Sequence, residues 1–431
     1  MEKSRHQLPA LEGGAPSRFL VFGSPLIGDE EIDEVVDSLK SGWLGTGPKT
    51  ARFEEMVKNY IRCKYAIALN SCTAGLHLSL LACGVGPGDE VITSPMTFAS
   101  TANVIEHVGA KPVFVDIELP SMNIDPSQIE KKINKKTKAV IPVHFAGRPC
   151  QMDEIKRLAK KYKLKIVEDA AHAFGAEYRK NKIGTIGDAT VFSFYVTKNL
   201  VTGEGGMVVT NDKKLAEFVR LYSLHGLSKD AWKRYSDEGF KHYLVEAPGY
   251  KYNMMDLQAA IGIHQFNRFE AGQKIREHIW KLYNEAFFDL PLELPADPEP
   301  KTVHAKHLYP ILMKLEKLKA DRELIQQALH AEGIGIGIHF VALHLHPYYK
   351  NKYKYKMGDF PNAEYVSDRT ISLPFSAKLT DTDVKDVIRA VRKVLMYYSE
   401  NEPRPSKLHL PRAVDDPNRR VDEISLENLW K

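Results

Sequence analysis

From Lys64 onward the chain alternates two hydrophobic patterns. Short, nearly continuous apolar runs at 65–69, 90–93, 112–117, 139–145, 165–168, 189–195 and 207–210 read as strands buried on both faces. Between them, stretches such as 74–82 and 152–162 carry the helical period. Strand–helix repetition of this kind predicts an α/β fold, a mostly parallel seven-stranded sheet with helices on both faces. Residues 256–287 read as one long helix or a pair, leading into a smaller α+β unit closed by a helix over 381–398. The polar start, with Gly-Gly and Pro, reads as a loose arm, and the proline-interrupted end as an extension without visible chemistry. The expected organisation is an arm 1–18, a large domain 19–264, a small domain 265–398 and an extension 399–431.

Composition narrows the class. A chain of 431 residues, 43% of them hydrophobic, can bury two cores. Sixty basic against 55 acidic residues leave a net charge of +5, too small and too dispersed to argue for a nucleic-acid partner. The four cysteines form no CxxC pair and suggest no disulfide framework. No apolar run approaches about 18 residues, and the first residues lack a signal-peptide core. The expectation is a soluble cytoplasmic protein without a membrane span.

Lys198 stands out in the stretch Phe192-Ser193-Phe194-Tyr195-Val196-Thr197-Lys198, read as the end of a buried strand. Burying an ammonium is costly unless it is paired or neutralised, and a Schiff base to an aldehyde cofactor is one way to neutralise it. Upstream, Ile166-Val167-Glu168-Asp169-Ala170-Ala171-His172 places an acidic pair at a strand end, where ligands of open α/β sheets collect. Asp169 either caps the next helix or pairs with a protonated ring nitrogen, with the small Ala170 and Ala171 leaving room for a flat ring. In Asn70-Ser71-Cys72-Thr73-Ala74 a strand end meets a helix start, suited to a phosphate or to plain capping. Ala247-Pro248-Gly249-Tyr250-Lys251-Tyr252-Asn253 reads by itself as an ordinary loop. His339, His344 and His346 have no carboxylate or cysteine nearby in sequence, so substrate contact or a structural role is preferred to metal. Walker, GxGxxG, GxSxG and HExxH patterns are absent.

Together these stretches resemble the DegT/DnrJ/EryC1/StrS family of pyridoxal-phosphate-dependent nucleotide-sugar aminotransferases, of fold type I. The resemblance runs from about Pro25 to Leu395. It includes Ser41-Gly42-Trp43-Leu44-Gly45-Thr46-Gly47-Pro48, Gly203-Glu204-Gly205-Gly206, Phe360-Pro361-Asn362-Ala363-Glu364 and Ser372-Leu373-Pro374. It implies that the large domain binds the cofactor and that Lys198 carries it as a Schiff base, with Asp169 the partner of the pyridine nitrogen. Cys72, Thr73 and Ser193 are then expected to hold the phosphate. Phe98 and Ala171 flank the ring, and His172 meets its phenolic oxygen. Lys251, on a loop with Gly249 and Tyr250, is expected to reach a neighbouring subunit's cofactor site, making a homodimer with shared active sites. Thr46, Asn253 and His339 are expected to contact substrate.

Within the family the chain looks most similar to the aminotransferases that form UDP-4-amino-4-deoxy-L-arabinose. That likeness rests on Pro248-Gly249-Tyr250-Lys251-Tyr252-Asn253, on His225-Gly226-Leu227 followed by Asp230-Ala231, and on Gly337-Ile338-His339-Phe340. Phe98 stands where that subgroup often has Trp, and Val341 stands where it has Arg, removing an anion contact. The implied substrates are L-glutamate, leaving as 2-oxoglutarate, and a nucleotide-linked keto-sugar, UDP-4-keto first and GDP- or dTDP-linked 3- or 4-keto sugars as alternatives. A related sugar dehydratase carries His in place of the lysine, which Lys198 argues against. Intact Lys198 and Asp169 argue against a non-catalytic nucleotide-sugar-binding or regulatory protein.

Overall fold

The computed structural model describes residues 8–14, 18–227 and 244–399. Asp230 and Ala231, and the extension after Ser399, lie outside the described residues. Strands β1 (Tyr65–Leu69), β2 (Glu90–Thr93), β3 (Lys111–Phe114), β4 (Thr137–Ile141), β5 (Lys165–Asp169), a hairpin of β6 (Glu177–Tyr178) and β7 (Asn181–Lys182), then β8 (Ala189–Ser193) and β9 (Gly206–Thr210) follow in chain order. Seven of them form one sheet in the order β1-β9-β8-β5-β4-β2-β3. All pairs are parallel except those of β9, which runs antiparallel to both β1 and β8.

Period-two alternation sends successive side chains to opposite faces of this sheet. Ile67, Leu69, Val91, Ile141, Val191 and Val208 face one core with helix Cys72–Ala82. Ala66, Ala68, Ile92, Val140, Phe192 and Val209 face the other, under helices Pro48–Ile61, Met152–Tyr162 and Asp256–Asn267. Both faces are dry, which is why these strands read as continuous apolar runs.

Three predicted strands run too long. The run 139–145 stops as a strand at Ile141, because Pro142 has no N–H for the ladder and the chain turns at Phe145–Gly147. The run 112–117 ends at Phe114, and the run 189–195 at Ser193. Lys198 is therefore not on a strand. Phe194 N–H donates to Gly205 O (2.9 Å) and Thr202 N–H to Phe194 O (2.8 Å), closing a loop that carries the lysine between β8 and β9. The segment 256–287 is a pair of helices, Asp256–Asn267 and Phe269–Phe287, broken at Arg268.

The C-terminal part builds on the antiparallel strands β10 (Leu292–Glu293), β11 (Tyr309–Met313) and β12 (Thr370–Leu373). Helices Phe269–Phe287, Arg322–Ala331 and Asp381–Tyr397 cover them around Tyr283, Tyr309, Ile325, Val387 and Val391. Within the stretch expected as a loose arm, Ala10–Glu12 forms a 3-10 turn docked on this part. Its Ala10 N–H donates to Glu332 (2.6 Å), and the Tyr398 hydroxyl donates to Glu12 (2.8 Å). No helix among the described residues is long and apolar enough to cross a membrane.

Two glycines set how closely the helix after β1 approaches the sheet. A Cβ at Gly75 would lie 2.4 Å from a Val191 methyl group, and one at Gly206 would lie 2.4 Å from Cys72 N. The second clash is with backbone, so no rotamer change relieves it. Gly206→Ala is expected to cost about 1–3 kcal/mol by overpacking, read as a lower thermal midpoint of the cofactor-free protein. An unchanged midpoint would show that the helix start can shift freely.

Candidate active site

Four chain reversals meet at the carboxyl edge of the sheet. β1 leads into Asn70-Ser71 and helix Cys72–Ala82, β2 into Phe98 and helix Ala99–His107, β5 ends on Asp169, and β8 ends on Ser193. This is where open α/β sheets collect ligands. A cavity of about 510 Å³ lies there, with Lys198, Asp169, His172, Phe98, Ser193 and Thr73 among its lining.

Lys198 is fixed at its backbone, where its N–H donates to Tyr195 O (2.9 Å). Burial pushes its amine down to about 8, although Cys72 and Asp169 pull the other way. Asp169 is 4% exposed, and burial raises its carboxyl above the ordinary carboxylate range. Two donors oppose that shift, the Thr101 hydroxyl at 2.7 Å and the Ala171 N–H at 3.1 Å. No ion pair joins Asp169 to Lys198 among the described residues. The acid and the amine face one cavity without neutralising each other.

His172 is held at a definite tautomer. Ala146 N–H donates to its Nδ1 (3.3 Å), so the neutral ring carries its proton on Nε2. Burial, Lys198 and His339 keep it neutral, far below the usual histidine range. The ring lies parallel to Phe340 at 6.1 Å and 4.5 Å from His307. His339, whose Nδ1 pairs with the Ser372 hydroxyl (2.9 Å), is pushed down to about 4 by burial and Lys198.

At the other end of the cavity, Ser71 caps the helix by accepting from Ala74 N–H (3.1 Å). The Cys72 and Thr73 N–H groups find no backbone acceptor among the described residues, as the first turn of a helix dictates. The Cys72 thiol is engaged with Val191 O at 3.7 Å, so what this residue offers a ligand is its backbone. Phe98 lines the cavity at 64% exposure and Ala171 lines it too.

Other expected residues lie elsewhere. Lys251 is exposed and off the cavity, with its carbonyl accepting from Asn70 (3.3 Å). Tyr250 stacks on Tyr252 (5.0 Å) and packs against His77 of its own chain. Asn253 donates to the Thr46 hydroxyl (2.7 Å), which in turn donates to Met254 O, so these two hold each other rather than line the cavity. Val341 is also off the lining. Residues that sequence reading passed over are Thr97, Thr101, Phe340 and His307. Among the described residues, no group of three His, Cys, Asp or Glu side chains is placed to hold a metal.

Pyridoxal phosphate fits what is present. The cavity offers one amine with a lowered pKa, one desolvated acid, free helix-terminal N–H groups, hydroxyls at Thr73 and Ser193, and the flat apolar surfaces of Phe98 and Ala171. Each part of the cofactor has a chemically matched group.

Comparisons with known proteins agree. A profile of the DegT/DnrJ/EryC1/StrS aminotransferase family matches residues 25–392. Spore coat polysaccharide biosynthesis protein SpsC of Bacillus subtilis is 50% identical over 380 residues, covering 88% of this chain and 98% of its own. The PLP-form of Spr1654 from Streptococcus pneumoniae superposes with a TM-score of 0.81 at 33% identity, covering 88% of this chain and 99% of that one. Helicobacter pylori PseC, an aminotransferase involved in the biosynthesis of pseudoaminic acid, gives 0.81 at 31% identity, covering 89% and 100%.

A lysine titrating near 8 is neutral, and so nucleophilic, at pH values where ordinary lysines are charged. Limited acylation of the cofactor-free protein is expected to label Lys198 ahead of the exposed lysines. Its rate should rise with pH and level off above about 8. Peptide mapping checks this, and labelling no faster than at surface lysines would contradict it. The sign for stability follows. The unfolded lysine holds its proton to higher pH, so apo stability is expected to increase between about 8 and 10.5, a slope that Lys198→Met removes.

Proposed function

The chain belongs to the DegT/DnrJ/EryC1/StrS aminotransferase family and is a pyridoxal-phosphate-dependent sugar aminotransferase, and from that premise we propose its substrates and the role of each site residue. The amino donor is L-glutamate, leaving as 2-oxoglutarate, and the acceptor is a nucleotide-linked 4-keto sugar, UDP-linked by preference. The product is an amino-sugar for a cell-surface polysaccharide or lipid A, made in the cytoplasm. The observation that carries the reading is the meeting of Lys198, Asp169 and a free helix N-terminus in one cavity. SpsC, named for polysaccharide biosynthesis, supports the product class.

Bound pyridoxal phosphate supplies an aldehyde that exchanges amines and a ring that takes up electrons from the donor's α-carbon. The protein does the rest. Lys198 holds the cofactor through its side-chain nitrogen. With the cofactor bound, the Lys198 side-chain nitrogen would also be the base that takes the donor's α-proton and returns it, and a pKa near 8 suits both roles. Asp169, whose charged form is favoured by its two donors against the effect of burial, would hold a proton on the ring nitrogen. His172 donates from Nε2 to the phenolic oxygen. Cys72 N–H, Thr73 and Ser193 bind the phosphate, while Phe98 and Ala171 hold the ring flat. His339, which lines the same cavity, would contact the substrate.

A second copy completes the site in this reading. Helix Asp29–Ser41 and the turn after it expose Ile32 (53%), Leu39 (56%), Trp43 (44%) and Leu44 (42%), an apolar face suited to a matching subunit. Lys251, exposed and unused by its own cavity, then serves the partner's site, with the Asn253–Thr46 hydrogen bond bracing the loop that carries it.

A panel of UDP-, GDP- and dTDP-linked keto-sugars with L-glutamate, read by 2-oxoglutarate release, is expected to show turnover first on a UDP-4-keto sugar. Turnover confined to another nucleotide would overturn the substrate assignment. Lys198→Ala is expected to abolish turnover with the fold intact. Mixed dimers of Lys198→Ala and Lys251→Ala subunits are expected to regain part of the activity, and no recovery would count against sharing.

A further inference from the structure

Asp169 receives a hydrogen bond from a residue 68 positions away in the chain. Thr101 sits in the first turn of helix Ala99–His107, fully buried, with its hydroxyl 2.7 Å from Asp169 Oδ2. On its other side the same hydroxyl lies 2.7 Å from that of Thr97, 2% exposed and on the cavity lining. A hydroxyl has one proton to give. With Thr101's proton committed to a carboxylate, the Thr97–Thr101 bond must run from Thr97 to Thr101, and the Thr97 oxygen is left as an acceptor toward the cavity. The two threonines form an ordered pair ending on the acid.

We propose that Thr101 is a positioning residue for the transamination, acting through Asp169: its hydroxyl holds the carboxylate ionised and oriented for the cofactor's ring nitrogen, with Thr97 fixing the direction of its proton. This rests on the assignment of Asp169 as that nitrogen's partner. The alternative, a purely structural threonine, leaves the geometry unaccounted for, because Thr101 is buried inside the one helix that also begins with the ring-facing Phe98. Neutral hydroxyl donors are what this place requires. Asp169 already faces Lys198 from the β8–β9 loop, Cys72 from the helix after β1, and His144 from the turn after β4, and Cys150 lies within its field. A further cation would compete with the ring nitrogen, whereas a hydroxyl stabilises the carboxylate and leaves it available.

The test uses the full chain stripped of cofactor and titrated with pyridoxal phosphate by fluorescence between pH 5.5 and 8.5, alongside apo thermal melts. Thr101→Val keeps the shape and removes the donor. It is expected to weaken cofactor binding about tenfold, to move the acid-side loss of affinity to higher pH because Asp169 then takes a proton more easily, and to lower kcat with KM for the donor little changed. Thr101→Ser is expected to restore all three. A Thr101→Val protein with wild-type affinity and pH profile, or with a pH-independent loss that Ser does not mend, would overturn the proposal. Asp169→Asn separates the two readings. If it abolishes tight binding while Thr101→Val does nothing, only the threonine's role fails. If Asp169→Asn also binds normally, the assignment of Asp169 fails first.

Discussion

An acid and an amine face one cavity at the carboxyl edge of the sheet and are kept apart from each other. Asp169 is pushed toward its protonated form and Lys198 toward its neutral one by the same burial. A direct ion pair would relieve both, yet none forms among the described residues. In the proposed roles, a ring nitrogen for the acid and an aldehyde carbon for the amine would relieve both at once. The desolvation therefore works as stored selectivity for a ligand that presents those two groups at opposite ends.

The rest of the fold keeps this arrangement from collapsing. Neighbouring residues on a strand point to opposite faces, so the acidic pair at the end of β5 is divided between two tasks. Glu168 turns away from the cavity to the buried His144 (2.9 Å) and Thr190 hydroxyl (2.6 Å) and to the part-buried Gly187 N–H (2.8 Å). His144 is itself pinned, accepting from Cys150 N–H at Nδ1 (3.0 Å), and its backbone N–H donates to Asp169 O (3.1 Å). The strand end is thus tied down on the side opposite the chemistry. On the amine's side, Asn199 next to Lys198 donates to Ala305 O (2.7 Å) and meets His307 (3.0 Å), joining the loop to the chain leading into β11.

The sheet was legible because its strands are buried on both faces, and β1 and β2 were read to the residue. Boundaries failed at the carboxyl ends, at Pro142 and beyond Ser193. There the chain leaves the ladder to build the site while remaining apolar, so hydrophobic pattern alone cannot mark the exit. Lys198, Asp169 and Ser193 were legible as candidates from local motifs at or just after a strand end, whereas the roles of His172 and Cys72 came from family resemblance. Thr101 and His307 were not, because their meaning comes only from partners 68 and 108 positions away, Asp169 and Asn199. Lys251, Thr46 and Asn253 came from family resemblance, and a single chain brings none of them to its cavity.

The most direct test of the account is chemical. The protein loaded with pyridoxal phosphate is reduced with borohydride, digested and mapped by mass spectrometry. One phosphopyridoxyl group per chain is expected, carried on the side-chain nitrogen of Lys198. A label on another lysine, or no fixed label on a protein that still binds the cofactor tightly, would contradict it.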